Sequence, residues 1–402
     1  MRKIVSTLLI AAMLLTVISV FASCSSSGSD EFKIGLICLH DENSTYDNNF
    51  IRAMNNVKKE LGLKNSQVIV KTNIPESDEC YNAAKELVEK GCNVIFADSF
   101  GHEPFMLQAA KEYPDVEFCH ATGTLAHTEN VKNYHNAFAA IYEGRYLAGI
   151  AAGMKLNELI AAGNFTAEEA VIGYVGAFTY AEVISGMTSF FLGARSVCPS
   201  ATMKVRFTGS WYNQAAEQEA ATSLIADGCK LISQHADSLG APTACENAGI
   251  PNVSYNGSTK AAGPNTYIIS SAINWEPYFK YIIDCKQNGK TQTLGTDWTG
   301  TIATGSVVLT ELNTSVAAEG TQAAIDAAKA KFEDGTLHVF DTSKFTVNGE
   351  TLTSYMADVD SDDAFTPDKD VISDGYFHES EYRSAPYFDI TIDGVEFLNT
   401  AF

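Results

Sequence analysis

The segment FKIGLICLHDENSTYDNNFIRAMNNVKKEL, Phe32–Leu61, decides the fold of this chain. Its first part is a short apolar run with β-branched residues, which predicts a buried strand. Its last part carries apolar residues at the spacing of an amphipathic helix: Phe50, Met54, Val57 and Leu61. The polar loop between them joins the strand to the helix. Open α/β sheets bind small ligands at the carboxyl ends of their strands, so this loop is predicted to line a ligand crevice. The alternative is an ordinary capped turn.

The first residues, 1–23, are predicted to be a lipoprotein signal peptide. Basic residues precede the apolar run Ile4–Phe21, and small residues then lead to Cys24. This arrangement resembles a bacterial lipobox, although that motif usually has an aliphatic residue at the position of Phe21, three places before the cysteine. The resemblance implies that Cys24 carries a lipid and begins the mature protein, with residues 24–31 as a flexible tether. An uncleaved anchor helix is the alternative. Both place the rest of the chain at the extracytoplasmic face of the cell membrane.

The composition restricts the class of protein and its partners. The chain has 402 residues, which is enough for two domains of common size after the signal peptide. Its formal net charge is −22, and a surface this acidic repels nucleic-acid phosphates and anionic lipid head groups. Nucleic acid is therefore not expected as a partner. No segment after the signal peptide is long and apolar enough to predict a membrane span.

The cysteine pattern predicts neither a metal site nor a disulfide framework. Of nine cysteines, Cys24 belongs to the lipobox, and the other eight form no CxxC pair and no Cys/His cluster. No metal and no other cofactor are therefore expected. Although an exported chain can form disulfides, several of these cysteines lie in apolar runs, where a free thiol behaves as a small apolar residue. We expect mostly free, buried thiols.

Strand and helix patterns alternate along the first part of the chain. Three successive strands end in polar loops, at His40–Asn49, Asp98–Glu103 and His120–His127. Strict alternation implies a parallel sheet with right-handed crossovers, so all three loops are expected at one edge. A long apolar helix rich in Ala and Gly is predicted at Asn136–Leu156, where its small residues allow close packing at a domain junction.

The same pattern starts again at Val171–Val175 and predicts a second, similarly built lobe. Two α/β lobes that face each other form a cleft, and several chain passages between them form a multi-strand hinge. The first lobe is predicted to comprise residues 32–165 and 264–300, and the second 166–263 and 301–334. Residues 335–402 contain short strands joined by Asn-Gly and Asp-Gly turns, which predict a β-rich tail on one lobe.

These features together resemble the bacterial basic membrane protein (BMP) family of lipoproteins, which are PnrA-like substrate-binding proteins of ABC importers. The motifs that carry the resemblance are DENSTYDNNF at 41–50, EGRYLAG at 143–149, VGAF at 175–178, TGSW at 208–211 and SYNGS at 254–258. The resemblance covers roughly Phe32 to Phe340. It implies the type I periplasmic-binding fold, a purine-class heterocyclic ligand, and permease and ATPase subunits as partners. A monomer is expected.

The resemblance also implies roles for individual residues. Phe50 falls where the family has an aromatic ring that stacks on the base, and Trp211 falls at the second stacking ring. Asp47 and Asn49 fall where side chains hydrogen-bond the purine edge. Core packing is the alternative for Phe50, and helix capping is the alternative for Asp47.

Two positions depart from the family pattern. Asn256 stands where nucleoside-binding members have an aspartate that holds the ribose, and Asn274 stands where a partnering lysine is expected. The loss of both charges favours a nucleobase or a related heterocycle over a nucleoside.

The predicted ligand-binding residues come from loops of both lobes. The first lobe is expected to contribute His40, Asp41, Tyr46, Asp47, Asn49, Phe50, Asp98, Ser99, Phe100 and His102. The remainder are Phe178, Tyr180, Trp211, His235, Asp237, Asn256 and Asn274. Trp275 and Tyr278 are expected to pack at the hinge instead.

The sequence predicts a binding protein rather than an enzyme. It contains no GxSxG elbow, P-loop, HExxH or suitably placed GxGxxG motif. Ligand capture by hinge closure is the favoured function, and ligand sensing without transport is the alternative. Sugars remain an alternative ligand class because their sites also combine aromatic rings with Asp and Asn. The candidate loops contain no Arg, which disfavours amino acids.

Overall fold

The computed structural model describes residues 31–360 and 369–401. The predicted signal peptide, Cys24 and the tether through Asp30 lie outside the described residues. Two largely parallel sheets, each covered by helices, form two lobes, and a C-terminal tail packs against them. Within the described ranges, no helix combines the length and the apolar character needed to cross a membrane.

The first sheet is entirely parallel. Its strands are Ile34–Ile37 (β1), Val68–Lys71 (β2), Val94–Ala97 (β3), Glu117–Ala121 (β4), Tyr134–Ala139 (β5) and Asp297–Gly300 (β11), in the order β11-β5-β4-β3-β1-β2. Its helices are Thr45–Glu60 (α1), Asp78–Glu89 (α2), Glu103–Glu112 (α3), Leu125–Glu129 (α4) and Glu276–Gln287 (α9). The polar loops that follow β1, β3 and β4 therefore share the edge that the alternation predicts.

Helix α1 forms where the apolar spacing predicts it. Ser44 is its N-cap residue and accepts a hydrogen bond from the Asp47 N–H at 3.2 Å. Phe50, Met54 and Val57 are fully buried against the sheet. Leu61 lies just past the last helical residue and is 43% exposed, so the apolar stripe ends one turn earlier than predicted.

The second sheet repeats this plan with one antiparallel edge strand. Its strands are Val171–Gly176 (β6), Thr202–Phe207 (β7), Leu231–His235 (β8), Asn252–Tyr255 (β9), Tyr267–Ile273 (β10), Val307–Leu309 (β12) and Val395–Phe397 (β17). The order is β12-β10-β9-β8-β6-β7-β17, and β12 runs antiparallel to β10. Its helices are Ile141–Ala161 (α5), Ala181–Val197 (α6), Gln214–Ala226 (α7), Gly240–Ala248 (α8) and Thr321–Glu333 (α10).

β10 and α5 belong to the second lobe, although the sequence predicts both for the first. β10 pairs with β9 and β12 in the second sheet, although residues 264–300 are predicted for the first lobe. α5 packs so closely on α6 that a Cβ added to Gly149 of α5 would lie only 2.0 Å from the carbonyl oxygen of Phe190 in α6. The predicted junction helix therefore belongs to the second lobe, and it begins only at Ile141 because the preceding residues form β5.

The lobes are joined by a multi-strand hinge, as predicted. Before the tail, the chain crosses between the sheets at three places, 139–141, 273–276 and 300–307. Several crossings restrict the relative motion of the lobes to a hinge more strongly than a single linker does.

The tail contacts both lobes, whereas the sequence predicts that it covers one. β17 extends the second sheet beside β7, and the Ser384 N–H donates to Asp297 of the first sheet at 2.6 Å. The remaining tail strands form two small antiparallel pairs: Met356–Ala357 (β13), Lys369–Asp370 (β14), Ile372–Ser373 (β15) and Tyr376–Phe377 (β16). Turn signals predict the strands, but they carry no information about which lobe the strands contact.

The eight cysteines within the described residues are all free and buried. This confirms the prediction of buried thiols. Burial raises the pKa of several of them, for example that of Cys119 to about 12, which keeps these thiols protonated and unreactive.

Candidate functional site

A pocket of about 370 Å³, measured to its open mouth, lies between the lobes where strand ends of both sheets meet. It is lined by Leu39, His40, Tyr46, Asp47, Ser99, Phe100, Thr122, Glu182, Trp211, His235, Asp237 and Asn256. Nine of these are predicted ligand-binding residues. The rule that open α/β sheets bind ligands at the carboxyl ends of their strands, called the strand-end rule below, therefore locates most of the pocket wall.

The sequence analysis missed three lining residues, Leu39, Thr122 and Glu182. Thr122 directly follows β4, in the loop already identified as polar, and so the strand-end rule was sufficient to find it. Glu182 lies in the first turn of α6, two residues after Tyr180. Leu39 directly precedes His40, but an aliphatic side chain gives no chemical signal of a ligand site.

Direct contacts across the cleft show that the lobes are closed on each other. The Thr45 N–H donates to the Asp237 carbonyl oxygen at 3.0 Å, and the Asn49 side chain donates to the Asn256 side chain at 3.4 Å. The rings of Phe100 and Tyr180 also meet across the cleft, with centroids 5.4 Å apart. The pocket is therefore enclosed by residues that opening of the hinge would separate.

Asp47 faces the pocket as an ionised carboxylate. It accepts a hydrogen bond from the His40 N–H at 2.7 Å and one from the Ser44 hydroxyl at 2.5 Å. Burial acts to raise the pKa of Asp47, but the hydrogen bonds from His40 and Ser44 outweigh it, and the pKa lies below its ordinary value. Ser44 is the cap residue, and Asp47 also supports the helix start because its carboxylate accepts the Ser44 hydroxyl.

Asp237 presents the opposite case in the second lobe. Burial, together with the nearby negative charge of Asp47, raises the pKa of Asp237 well above its ordinary value. One of its oxygens accepts a hydrogen bond from the Asn256 amide at 3.2 Å. In its protonated form Asp237 offers a hydroxyl donor, which the Asp47 carboxylate does not.

The histidine of the second lobe adds no positive charge to the pocket. His235 is buried, with its ring centroid 4.2 Å from that of Tyr255 and its Nε2 atom 3.6 Å from Glu182. Burial lowers the pKa of His235, which favours the neutral ring. Neither Lys nor Arg lines the pocket within the described residues. Anionic ligands are therefore disfavoured, and ligands with N–H or O–H donors are favoured.

Aromatic side chains line the pocket from both lobes, Tyr46 and Phe100 from the first lobe and Trp211 from the second. Tyr46 packs edge-on against Phe50 at 5.0 Å, and its hydroxyl donates to the Asp98 carbonyl oxygen at 2.8 Å. Trp211 packs edge-on against Phe178 at 5.0 Å. The rings of Tyr46 and Trp211 are thus held by neighbouring rings at the pocket wall.

Phe50 corrects the sequence analysis. It is fully buried and stacks on Trp275 with the ring centroids 4.4 Å apart, so it belongs to the core rather than to the pocket wall. Tyr46, one helical turn earlier, occupies the wall instead. Phe50 lies on the inward stripe of α1, and burial of that stripe decides its environment.

Asn274 is the second correction. Its side-chain amide donates to the Gly305 carbonyl oxygen at 3.1 Å, and its oxygen accepts the Glu276 N–H at 3.2 Å. It therefore holds the hinge crossing and the start of α9, away from the pocket. Trp275, which was predicted to pack at the hinge, is fully buried and stacks on Phe50 in the core.

The other predicted residues lie beside or behind the pocket wall. Asp98 is buried and accepts the Leu39 N–H at 3.1 Å, and the His102 ring bonds to the Ile74 carbonyl oxygen at 2.8 Å. Asn49 accepts a hydrogen bond from Arg52. The remaining side chains without a place in the lining are Asp41, which bonds to Asn43, and Phe178 and Tyr180, which stack on each other.

One group of described residues has metal-ligating atoms close together. Atoms of Cys38, Asp47 and Asp98 lie within 4.8 Å of one another, and all three residues are buried. Burial raises the pKa of both the Cys38 thiol and the Asp98 carboxyl well above their ordinary values. Protonation of these two groups relieves the charge repulsion among the three residues.

Glu217 supports the loop that follows β8 and carries Asp237, and its titration gives a testable pH dependence. It is fully buried and accepts the N–H groups of Ser238 at 3.2 Å and Asn213 at 3.1 Å. Burial raises the pKa of Glu217 from 4.5 to about 7. The folded state thus holds this proton more tightly than the unfolded chain, and the associated stability is present below pH 4.5 and lost as the pH rises through 7.

Replacing Glu217 with glutamine, which stays neutral, is therefore expected to raise the melting temperature relative to wild type more at about pH 8 than at about pH 5. Thermal unfolding of both proteins at the two pH values measures this difference. The variant must be compared with wild type at each pH, because the buried histidines make the stability of the fold change with pH in the opposite direction to Glu217. If the melting temperatures of the variant and the wild type differed by the same amount at both pH values, the raised pKa assigned to Glu217 would be contradicted.

The chain is similar in sequence to binding proteins of two kinds. It is 36% identical over 227 residues to a putative ABC transporter glucose-binding protein of Haloferax volcanii, which covers 56% of this chain and 54% of that protein. It is 33% identical over 207 residues to a purine-binding protein of Brucella abortus, which covers 52% of this chain and 55% of that protein. The chain thus spans about half the length of the curated relatives it matches.

The fold and the family agree with each other. An ABC transporter solute-binding protein from Conexibacter woesei superposes with a TM-score of 0.60 at 20% identity, over 76% of this chain and 98% of that one. This likeness shows the type I periplasmic-binding fold with two Rossmann-like lobes. The Bmp family model, described as ABC transporter substrate-binding protein PnrA-like, matches residues 38–336. The chain therefore belongs to the Bmp family of PnrA-like ABC transporter substrate-binding proteins.

Proposed function

We propose that this protein captures a purine nucleobase, or a related flat heterocycle, in the pocket between its lobes and delivers it to the permease and ATPase subunits of an ABC importer. The observation that carries the proposal is that Tyr46 and Trp211 line the same small pocket from opposite lobes. Flat, polarisable rings stack on aromatic side chains, and carboxylates and amides bind ring N–H groups. The similarity to the purine-binding protein of Brucella abortus supports this ligand class.

The polar groups of the pocket favour a base over a nucleoside. Asn256 is engaged with Asp237, and Asn274 lies at the hinge. Neither residue therefore supplies a charged grip for a ribose inside this pocket.

A monosaccharide is the second candidate ligand. The similarity to a putative glucose-binding protein of Haloferax volcanii supports it. A neutral pyranose also stacks on Trp211 and donates hydroxyls to carboxylates such as Asp47. The two candidates differ in shape and in ring nitrogens, so direct binding measurements distinguish them.

The proposed mechanism is closure of the hinge around the ligand. Contacts such as the hydrogen bond from Thr45 to Asp237 exist only when the lobes meet. A ligand held between Tyr46 and Trp211 contacts both lobes only in the closed form, so it shifts the population toward closure. We infer that a lipid on Cys24 holds the protein, as a monomer, at the extracytoplasmic face of the membrane.

Thermal unfolding of the full chain with a panel of purine bases, nucleosides, pyrimidines and monosaccharides tests this proposal. A ligand that binds only the folded state stabilises it by about 2.7 kcal/mol at a hundredfold excess over its dissociation constant. We expect purine bases to raise the melting temperature and pyrimidines to have less effect, since their single ring offers less stacking area. A shift with monosaccharides alone would contradict the purine assignment and support the second candidate.

A further inference from the structure

A group of metal-ligating side chains lies directly behind the wall of the ligand pocket. The Cys38 sulfur and carboxylate oxygens of Asp47 and Asp98 lie within 4.8 Å of one another, and all three side chains are buried. Cys38 follows β1, Asp98 follows β3, and Asp47 lies in the first turn of α1. Because they come from separate segments, they show none of the short Cys and His spacings that identify a metal site from sequence.

A buried histidine faces the same group. The His102 Nε2 atom lies 2.8 Å from the Ile74 carbonyl oxygen, which can only accept, so Nε2 carries the ring proton. Burial lowers the pKa of His102 to about 4, which leaves a lone pair on Nδ1. This Nδ1 atom lies 4.0 Å from an Asp98 oxygen. A ring N–H fixed by a backbone carbonyl, with the other nitrogen bare, is the usual arrangement of a metal-binding histidine.

Two neighbouring polar atoms at this place have no hydrogen-bond partner. The Asp98 Oδ1 atom accepts the Leu39 N–H at 3.1 Å, but its Oδ2 atom has no partner within residues 31–360 and 369–401, and neither does His102 Nδ1. Buried polar atoms without partners cost free energy, and they are rare in folded proteins. A cation bound to both atoms would satisfy them together.

The chemistry of the four side chains selects the ion. Zn²⁺ binds thiolate, imidazole and carboxylate ligands in a tetrahedral arrangement, whereas Mg²⁺ and Ca²⁺ take oxygen ligands. Burial and the nearby charge of Asp47 raise the pKa of Asp98 well above its ordinary value, so two ionised carboxylates are unfavourable here without a cation. Zn–ligand bonds of about 2.0–2.3 Å require the side chains to move inward slightly when the ion binds.

We propose that Cys38, Asp47, Asp98 and His102 form a binding site for one Zn²⁺ ion behind the pocket wall. The ion replaces the thiol proton of Cys38 and the carboxyl proton of Asp98, and both protons leave to solvent. Bonds form to the sulfur, to one oxygen of each carboxylate and to the imidazole nitrogen. The bound ion ties the ends of β1 and β3 to the start of α1.

The ligand pocket provides the path of entry. Asp47 itself lines the pocket, as do Leu39 and Ser99, which directly follow Cys38 and Asp98. An ion therefore reaches the site when the lobes open. All four metal ligands belong to the first lobe, so the site exists in the open and the closed form and does not depend on which ligand the pocket captures.

Titration of the metal-free full chain with Co²⁺, followed by Zn²⁺, tests the site. Co²⁺ accepts the same ligands, and a bond between cobalt and a thiolate gives a charge-transfer absorption in the near ultraviolet. We expect one Co²⁺ per chain with this absorption, which Zn²⁺ abolishes by displacement. Cys38→Ser should remove the absorption and weaken Zn²⁺ binding by at least about tenfold. Cys119→Ser, which alters an equally buried thiol on β4, should change neither.

Asp98→Asn tests the site even if the Cys38 variant does not fold. It keeps the size of the side chain and an oxygen for the Leu39 N–H, and it removes the negative charge. Zn²⁺ binding is expected to weaken by at least about tenfold. The matched control is Asp284→Asn, which alters an exposed acid on α9 and should leave the Zn²⁺ affinity within about twofold of wild type.

The possible outcomes separate this inference from the proposed function. Absence of the charge-transfer absorption in wild type, or its persistence in a folded Cys38→Ser variant, would overturn the metal site. So would equal effects of Asp98→Asn and Asp284→Asn on the Zn²⁺ affinity. Adenine binding by a chain that binds no Zn²⁺ would remove the metal site and leave the proposed function intact, and Zn²⁺ binding without adenine binding would do the reverse.

Discussion

Replacing Tyr46 or Trp211 with alanine is expected to weaken adenine binding by about 5- to 150-fold in each case, since stacking of a base on an aromatic ring contributes about 1–3 kcal/mol. The two rings reach the pocket from opposite lobes. Each ring rests edge-on against a phenylalanine, Phe50 or Phe178, which fixes its plane. Isothermal titration calorimetry of each variant measures the loss.

Two variants control this experiment. Tyr46→Phe keeps the ring and removes only the hydrogen bond to the Asp98 carbonyl oxygen, so its effect should be smaller than that of Tyr46→Ala. Phe50→Leu changes a core residue on the same helix and should leave the affinity close to wild type. If a folded Phe50→Leu variant lost as much affinity as Tyr46→Ala, the assignment of Tyr46 as the stacking ring would be contradicted.

Replacing Arg145 with alanine is expected to lower the free energy of unfolding by about 3–5 kcal/mol. Arg145 is fully buried, and its guanidinium lies 4.9 Å from the ring centre of Phe190 and 5.0 Å from that of Tyr255. It donates to the Tyr174 hydroxyl at 2.8 Å and to the Ser233 hydroxyl at 3.1 Å. Truncation leaves a cavity and buried oxygens without their donor.

Chemical denaturation measures this effect, and Arg206→Ala is a matched control. Arg206 is half-buried and pairs with Asp227 at 3.0 Å on the surface, where such a pair contributes about 1 kcal/mol or less. Arg145→Lys should also be destabilising, because an ammonium group lacks the planar fork that reaches several acceptors at once. Equal losses for Arg145→Ala and Arg206→Ala would contradict the account of the buried guanidinium.

Local sequence patterns were sufficient to predict the architecture and the sheet edge where the candidate pocket lies. The β1–α1 segment formed as predicted because its apolar periods match a strand and a helix. Strand ends brought His40, Ser99 and His235 to one pocket, because parallel strands share one carboxyl edge.

What the sequence did not predict depends on contacts between distant segments. The apolar stripe of α1 favoured burial of Phe50, whereas the resemblance favoured a place for it at the ligand, and only the packing of α1 on the sheet decides between the two. The pattern of residues 264–300 predicts a strand and a helix but not the lobe to which they belong. The strand, β10, pairs with β9 and β12 and so lies in the second lobe. The tail strands likewise show turn signals without any indication that Ser384 reaches the first lobe.

The most direct test of the proposed capture site is the fluorescence of Trp211 during titration of the full chain with adenine and, separately, with glucose. Trp211 lines the pocket, whereas Trp275 is fully buried in the core. Stacking of adenine on Trp211 is expected to change the emission in a saturable way, and Trp211→Phe should abolish that change. A saturable change with glucose and none with adenine would contradict purine capture at this pocket.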